Sequence, residues 1–150
     1  MISTVDSKAL NLLMRRGRAS WAELAKHLGL SPPAAAERVR KLEERGVIRG
    51  YAALVSAEAL GYPLTAFVAV TLEHPKHRQA FLRRVAGMKE IVECHHVTGD
   101  YDYLLKVRSR STQDLDRVLS EKLKAVAGVA RTVTTIVLST VKESVEVPIA

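Results

Sequence analysis

Ser20-Trp21-Ala22-Glu23-Leu24-Ala25-Lys26-His27-Leu28-Gly29-Leu30-Ser31-Pro32-Pro33-Ala34-Ala35-Ala36-Glu37-Arg38-Val39-Arg40-Lys41-Leu42 decides the fold of the front of the chain. Ser20 is an N-cap, and Trp21, Leu24, Ala25 and Leu28 recur at helical spacing until Gly29 stops them. Leu30 bridges to Ser31-Pro32, an N-cap followed by the one helical position where proline loses no hydrogen bond. The next helix sets Ala35, Val39 and Leu42 on one face and ends at Gly46. Two helices joined by so short a turn need a small residue at their crossing and a glycine at the bend. Ala25 meets the first need and Gly29 the second, with Leu30 closing the core behind them. The pattern is a helix-turn-helix.

A helix before it carries Ile2, Val5, Ala9, Leu10 and Leu13 and closes at Arg15-Arg16-Gly17. Opposite the buried stripe of the third helix lie Pro33, Ala34, Glu37, Arg40 and Lys41, a protruding face of the kind that enters the B-DNA major groove. With Ser31, Arg38 and Arg49 these are the candidate DNA-binding residues. Arg15, Arg16, Arg18, Lys26 and Arg45 add cations for flanking phosphates. Asn and Gln, the usual adenine readers, are missing from this face, and Pro33 and Ala34 offer only apolar contact to thymine methyls. The expectation is loose sequence selectivity, with affinity carried by phosphates and DNA deformability. After Gly46, the alternation Val47-Ile48-Arg49-Gly50-Tyr51-Ala52-Ala53-Leu54 predicts a short strand or wing packed on the bundle.

Composition fits a polyanionic partner. Over 150 residues, 23 Lys+Arg face 16 Asp+Glu, for a net +7. Hydrophobic residues at 47% mark a globular chain, and aromatics at 5% are too few for base-stacking platforms along a single strand. The lone Cys94 permits no intramolecular disulfide, consistent with a reducing cytoplasm. No signal-like apolar run opens Met1–Leu10, and no stretch reaches the ~18–20 apolar residues of a membrane span. Gly61-Tyr62-Pro63 punctuates the chain, predicting a DNA-binding domain over 1–60 and a second domain over 61–150. The first holds 10 Lys+Arg and 6 Asp+Glu and the second 13 and 10, so the front is the more basic per residue.

The second domain reads strand, helix, strand, strand, helix, strand. The candidates are Leu64–Leu72, Pro75–Ala86, Glu90–Val97, Asp102–Val107, a helix capped by Ser111 with Asp114 in capping-box position, and Val129–Val141. Gly99-Asp100 is the turn between the middle strands. That order is the ferredoxin-like βαββαβ arrangement, making the whole chain α+β. Val133, Thr135, Val137 and Ser139 alternate with Thr132, Thr134, Ile136 and Leu138. Both faces of the last strand are thus partly apolar, and pairing sheet to sheet with a second copy would cover the open one.

Cys94-His95-His96 invites a metal reading. Alternation sends Cys94 and His96 to one face and His95 to the other, and no second cluster completes a tetrahedral site, so no metal is expected. Ser–His–Asp spacing, a Gly-rich phosphate loop and His-x-x-x-His are all absent, which argues against an enzyme and against a resident cofactor.

Asp6, Leu12-Leu13, Glu23-Leu24-Ala25, Gly29-Leu30-Ser31, Arg38-Val39-Arg40-Lys41-Leu42-Glu43 and Gly46-Val47-Ile48-Arg49-Gly50-Tyr51 together resemble the Lrp/AsnC family of prokaryotic transcriptional regulators. Glu93-Cys94-His95-His96-Val97-Thr98-Gly99-Asp100-Tyr101-Asp102-Tyr103-Leu104-Leu105 is similar to that family's ligand-responsive domain. The third helix departs from the pattern in its run Ala34-Ala35-Ala36. The resemblance implies a winged helix-turn-helix followed by an effector-binding and oligomerisation domain. It further implies homodimers that assemble into octamers or other rings, and an amino-acid effector held at the junction between dimers. Gly99 and Asp102 lead the candidate effector residues, with Asp100, Tyr101, His95, Thr112, Thr134, Thr135 and Ile136. The chemistry agrees, since an amino acid's carboxylate seeks backbone N–H groups, which a glycine turn exposes, and its ammonium seeks carboxylates. The expected function is a DNA-binding transcriptional regulator answering to a small effector. The alternative is an architectural DNA-organising protein without one.

Overall fold

The computed structural model describes residues 2–149. They form two compact units. Val55–Val141 is one, and the residues up to Leu54 together with those from Lys142 onward form the other. The sequence analysis cuts the chain once, after residue 60; the packed units part six residues earlier, and the chain ends back in the helical unit. Contacts that periodicity cannot announce carry this return. Arg15 Nε donates to Glu146 Oε2 at 3.3 Å, and the Val147 N–H lies 3.3 Å from Met14 Sδ.

In the helical unit, α1 spans Thr4–Arg15, α2 Trp21–Leu28 and α3 Pro32–Glu44. Each opens on serine. Ser3 with Asp6 and Ser20 with Glu23 make reciprocal capping boxes, and Ser31 Oγ accepts from the Ala34 N–H. Gly29 ends α2 in the left-handed region at φ 68°, which lets the Leu30 N–H reach back to Ala25 O at 3.0 Å. Ala9, Leu24, Ala25, Ala35 and Val39 form the core, with Leu12, Leu13, Leu28 and Ile48 packed on it. Ala25 and Ala35 are almost fully buried, so the crossing is made by the small side chains that the spacing predicts.

Beyond α3, Gly46 is again left-handed, and the N–H groups of Val47 and Ile48 both return to Leu42 O. Of the strand or wing expected over 47–54, no strand forms. The segment is an arm without a ladder, because no strand among the described residues pairs with it. Ile48 turns into the core and the Tyr51 hydroxyl donates to Glu43 Oε1 at 2.9 Å, while Leu54 stays 78% exposed.

The sheet unit runs β1 Leu64–Leu72, a 3-10 turn Pro75–His77 leading into α4 Arg78–Ala86, β2 Ile91–His96, β3 Tyr103–Ser109, α5 Thr112–Arg117 and β4 Val129–Ile136. The strands lie in the order β2-β3-β1-β4, every pair antiparallel, which is the ferredoxin-like sheet. α5 opens differently from the expected box. Ser111 Oγ accepts from the Asp114 N–H, but the Asp114 carboxylate takes the N–H of Arg110. Its end widens to i→i−5 bonding over Val118–Leu123, shown by Lys124 N–H to Leu119 O at 2.8 Å. β4 is shorter than the β-branched run that predicts it. Past Ile136, only Val137 still bonds β1, at Thr65 O, and Leu138 and Val141 stand almost fully exposed.

Ala66, Val68, Val70, Tyr103, Leu105 and Val107 meet Phe81, Val85, Leu115, Val118, Leu123 and Val126 in one core. Burying each Leu, Val or Phe is worth roughly 1.5–3 kcal/mol, so a one-residue slip of β1 or β3, which would expose the whole row, is strongly excluded. Phe67, Leu104, Val133 and Thr135 alternate with these residues and occupy the sheet's other face.

Candidate nucleic-acid interface and hairpin loop

α3 presents the face that its spacing predicts. Ala35, Val39 and Leu42 are fully buried, while Ser31, Pro33, Ala34, Glu37, Arg40 and Lys41 are exposed. The face is electrostatically quieter than its composition. Glu37 grips Arg40 in a bidentate pair (Nε–Oε2 2.9 Å, Nη2–Oε1 2.7 Å), and Arg40 Nη1 also donates to Glu44. Lys41 Nζ lies 3.5 Å from the same Glu37 carboxylate. The Arg40 hydrogen bonds hold the Glu37 carboxyl below its usual range and raise the guanidinium in return. Glu44 was not among the residues singled out, although its i,i+4 spacing from Arg40 is readable in the sequence.

Arg38 takes a different place. It points across the bundle to α1, donating to Asp6 Oδ1 at 2.8 Å and to Ser3 Oγ at 3.2 Å. That contact makes it a brace between α3 and α1. Arg15 and Arg16 are likewise engaged, with Glu146 and Glu23. Arg18, Lys26 and Arg49 are exposed, with no ion pair to a described residue, and are the free cations nearest in sequence to the helix-turn-helix.

In the sheet unit, the Val97–Asp102 loop joins β2 to β3. It is longer than the tight two-residue turn expected at Gly99-Asp100, and its ends close through Val97 N–H to Asp102 O at 3.0 Å. Gly99 sits at φ 106°, a conformation other residues adopt only with strain. Asp102 ties the loop to β1 twice. Its N–H donates to Val70 O at 3.0 Å, and its Oδ2 accepts from the Leu72 N–H at 2.7 Å. Asp100 is exposed, and the Tyr101 ring lies 5.9 Å from the Arg131 guanidinium of β4.

The other effector candidates are spread more widely. His95 faces the open side of the sheet and pairs with Glu93 at 3.1 Å. Thr112 bonds Gln113 at the start of α5. Along β4, Thr134 and Ile136 share the helix side of the sheet with Val68 and Ala66, whereas Thr135 lies beside Phe67 on the other side. Among the described residues, no hydrogen bond, ion pair or ring contact links His95, Thr112 or these three to the loop. Cys94 is half-buried and burial raises its thiol, while His96 stacks on Tyr103 with ring centroids 5.1 Å apart. No three His, Cys, Asp or Glu gather for a metal among the described residues. No helix among them is long and apolar enough to cross a membrane.

Comparison with known proteins matches both units. Residues 65–147 fit the family model of the Lrp/AsnC ligand binding domain, and residues 2–49 that of a winged helix-turn-helix DNA-binding domain. The chain is 40% identical over 145 residues to the leucine-responsive regulatory protein of Haemophilus influenzae, covering 95% of this chain and 87% of the relative. A transcriptional regulator of Neisseria meningitidis solved as its L-methionine complex superposes with a TM-score of 0.95 at 30% identity, covering 99% of this chain and 97% of that one. The feast or famine regulatory protein of Mycobacterium tuberculosis, also complexed with L-methionine, gives 0.91 at 36% identity, covering 97% and 98%.

Proposed function

Because the chain belongs to the Lrp/AsnC family of transcriptional regulators, we propose that it binds operator DNA through α3 and that an amino acid tunes this binding by altering its assembly. The observation that carries the reading is the division of α3 into a fully buried apolar side and an exposed opposite side. Two such helices in a homodimer would meet successive major grooves about 34–36 Å apart on one side of the duplex. The copies would pair through the open sheet face carrying Phe67, Leu104 and Val133. That pairing closes at the dimer, and a second contact between dimers would build the octamer or ring of the cytoplasmic regulator.

The effector reading draws support from the two L-methionine complexes of similar proteins and from the Gly99–Asp102 loop. Asp102 acts first as a positioning residue, since its Oδ2 accepts from the Leu72 N–H. Asp100 and any free lone pair of Asp102 remain for an ammonium, and the glycine turn for a carboxylate. His95, Thr112, Thr134, Thr135 and Ile136 complete the site only if neighbouring copies bring them to the loop. The second reading, an architectural DNA-organising protein without an effector, would leave Asp102 only its anchoring bond to the Leu72 N–H.

Calorimetry with the twenty amino acids, alongside DNA titrations at rising salt, separates the two. Heat from one amino acid, with operator affinity that falls steeply with salt, supports the regulator. Silence from all twenty leaves the architectural role, and a flat salt response contradicts DNA binding through phosphates. Asp102→Asn keeps an acceptor for the Leu72 N–H while Asp102→Ala does not. If the charge binds the effector, both lose the heat of binding; if Asp102 only anchors the loop, Asn retains it.

A further inference from the structure

Residues 74–89 carry five Lys or Arg and no acid, whereas the rest of the sheet unit holds seven against nine acids. The unit's positive surplus therefore resides entirely in α4 and the segments flanking it. Lys76, Arg78, Arg83, Arg84 and Lys89 are all exposed, and none is ion-paired to a described residue. The contrast with α3 is sharp, because there Arg40 and Lys41 are already neutralised by Glu37 and Glu44.

Only part of this charge serves the helix that bears it. A stable α4 would open on an acid or a capping side chain. Instead its first turn has Arg78 and no acid, and His77 supplies no side-chain cap. Arg83 and Arg84 suit the C-terminal end of the helix dipole; Lys76 and Arg78, at the other end, oppose it. The platform beneath is firm. Phe81 and Val85 anchor α4 in the core, the Glu73 N–H donates to Gly128 O at 2.8 Å, and His77 packs where a Gly128 side chain would stand. Unpaired cations held on a rigid surface match a polyphosphate, whose contacts depend on charge and not on base sequence.

We propose that α4 and the turn before it form a second DNA-contacting surface, gripping phosphates of the duplex that flanks the site read by α3. The proposal rests on the DNA-binding function above and adds a contact outside the helix-turn-helix. The test uses the full chain and two duplexes, one just long enough for the paired half-sites read by α3 and one extended on both sides. The triple variant Arg78→Gln, Arg83→Gln, Arg84→Gln should bind the short duplex as wild type does. On the extended duplex, its slope of log affinity against log salt should be shallower by about two to three. The matching Arg→Lys triple should keep the wild-type slope, since a phosphate contact needs charge and not the guanidinium fork. Equal slopes for wild type and the Gln variant on the extended duplex overturn this inference alone. Unchanged DNA slopes, with phosphatidylserine vesicle binding lost in the Gln variant, reassign the patch to a membrane and overturn it too. A wild-type chain without affinity for either duplex removes the proposed function and this inference together.

Discussion

Asp6 shows how one side chain joins local and distant structure. Its carboxylate closes the capping box of α1 on the Ser3 N–H at 3.0 Å and receives Arg38 from α3 at 2.8 Å. Burial by itself drives an acid upward, yet the Arg38 and Ser3 hydrogen bonds prevail and hold Asp6 at about 2, below its ordinary 3.8. A carboxylate depressed on folding stabilises the fold above its unfolded value, and that share disappears as pH falls through the folded one. The wild-type chain should therefore lose about 2 kcal/mol of unfolding free energy from this group between about pH 4 and pH 2. Asp6→Asn should start lower by a similar amount at neutral pH and decline less over that interval. Urea titrations at stepped pH check both, and a variant as acid-sensitive as wild type would show that the pair contributes nothing. Such a change would also loosen α3, because Arg38 braces that helix from behind its exposed face.

Among the elements, the α2–α3 turn is the most exacting. Gly29 holds φ 68°, and an added Cβ would meet nothing within 4 Å, so the cost of a side chain there is backbone strain alone. Gly29→Ala should lower stability by about 1 kcal/mol and Gly29→Asn by less, as read from thermal unfolding. Equal stability of all three would mean that the turn relaxes into another shape. Ser20, Gly29 and Ser31-Pro32 were legible in the sequence because caps and turns are decided within a few residues. The ferredoxin-like arrangement was legible too, through the succession strand, helix, strand, strand, helix, strand. What stayed hidden depends on residues far apart along the chain, such as Arg38 with Asp6 or Asp102 with the Leu72 N–H. Over 47–54 the expected strand or wing packs on the bundle through Ile48 without forming a strand, for a related reason: alternation licenses an extended segment but cannot provide the neighbour that makes it a ladder. The charge clamp on α3 was different. Glu37, Arg40 and Glu44 stand at helical contact spacing, and counting cations without their i+3 and i+4 acids overstated the positive charge of that face.

At the scale of the whole molecule, the proposed assembly turns on the open sheet face. Leu104 lies between His95 and Ala69 on that face, with Val133 beyond Ala69. Leu104→Glu would bury a charge in any sheet-to-sheet pairing. Light scattering should show it falling to a lower mass than wild type at equal concentration, with operator affinity falling in step, while circular dichroism stays unchanged. A variant that keeps its mass would place the contact elsewhere. The returning tail has an energetic corollary. Glu146 and Val147 dock on Arg15 and Met14 inside the helical unit, while the core of the sheet unit takes no described residue beyond Val129. Stripping those two contacts would therefore weaken α1 and leave the packing beneath the sheet as it stands.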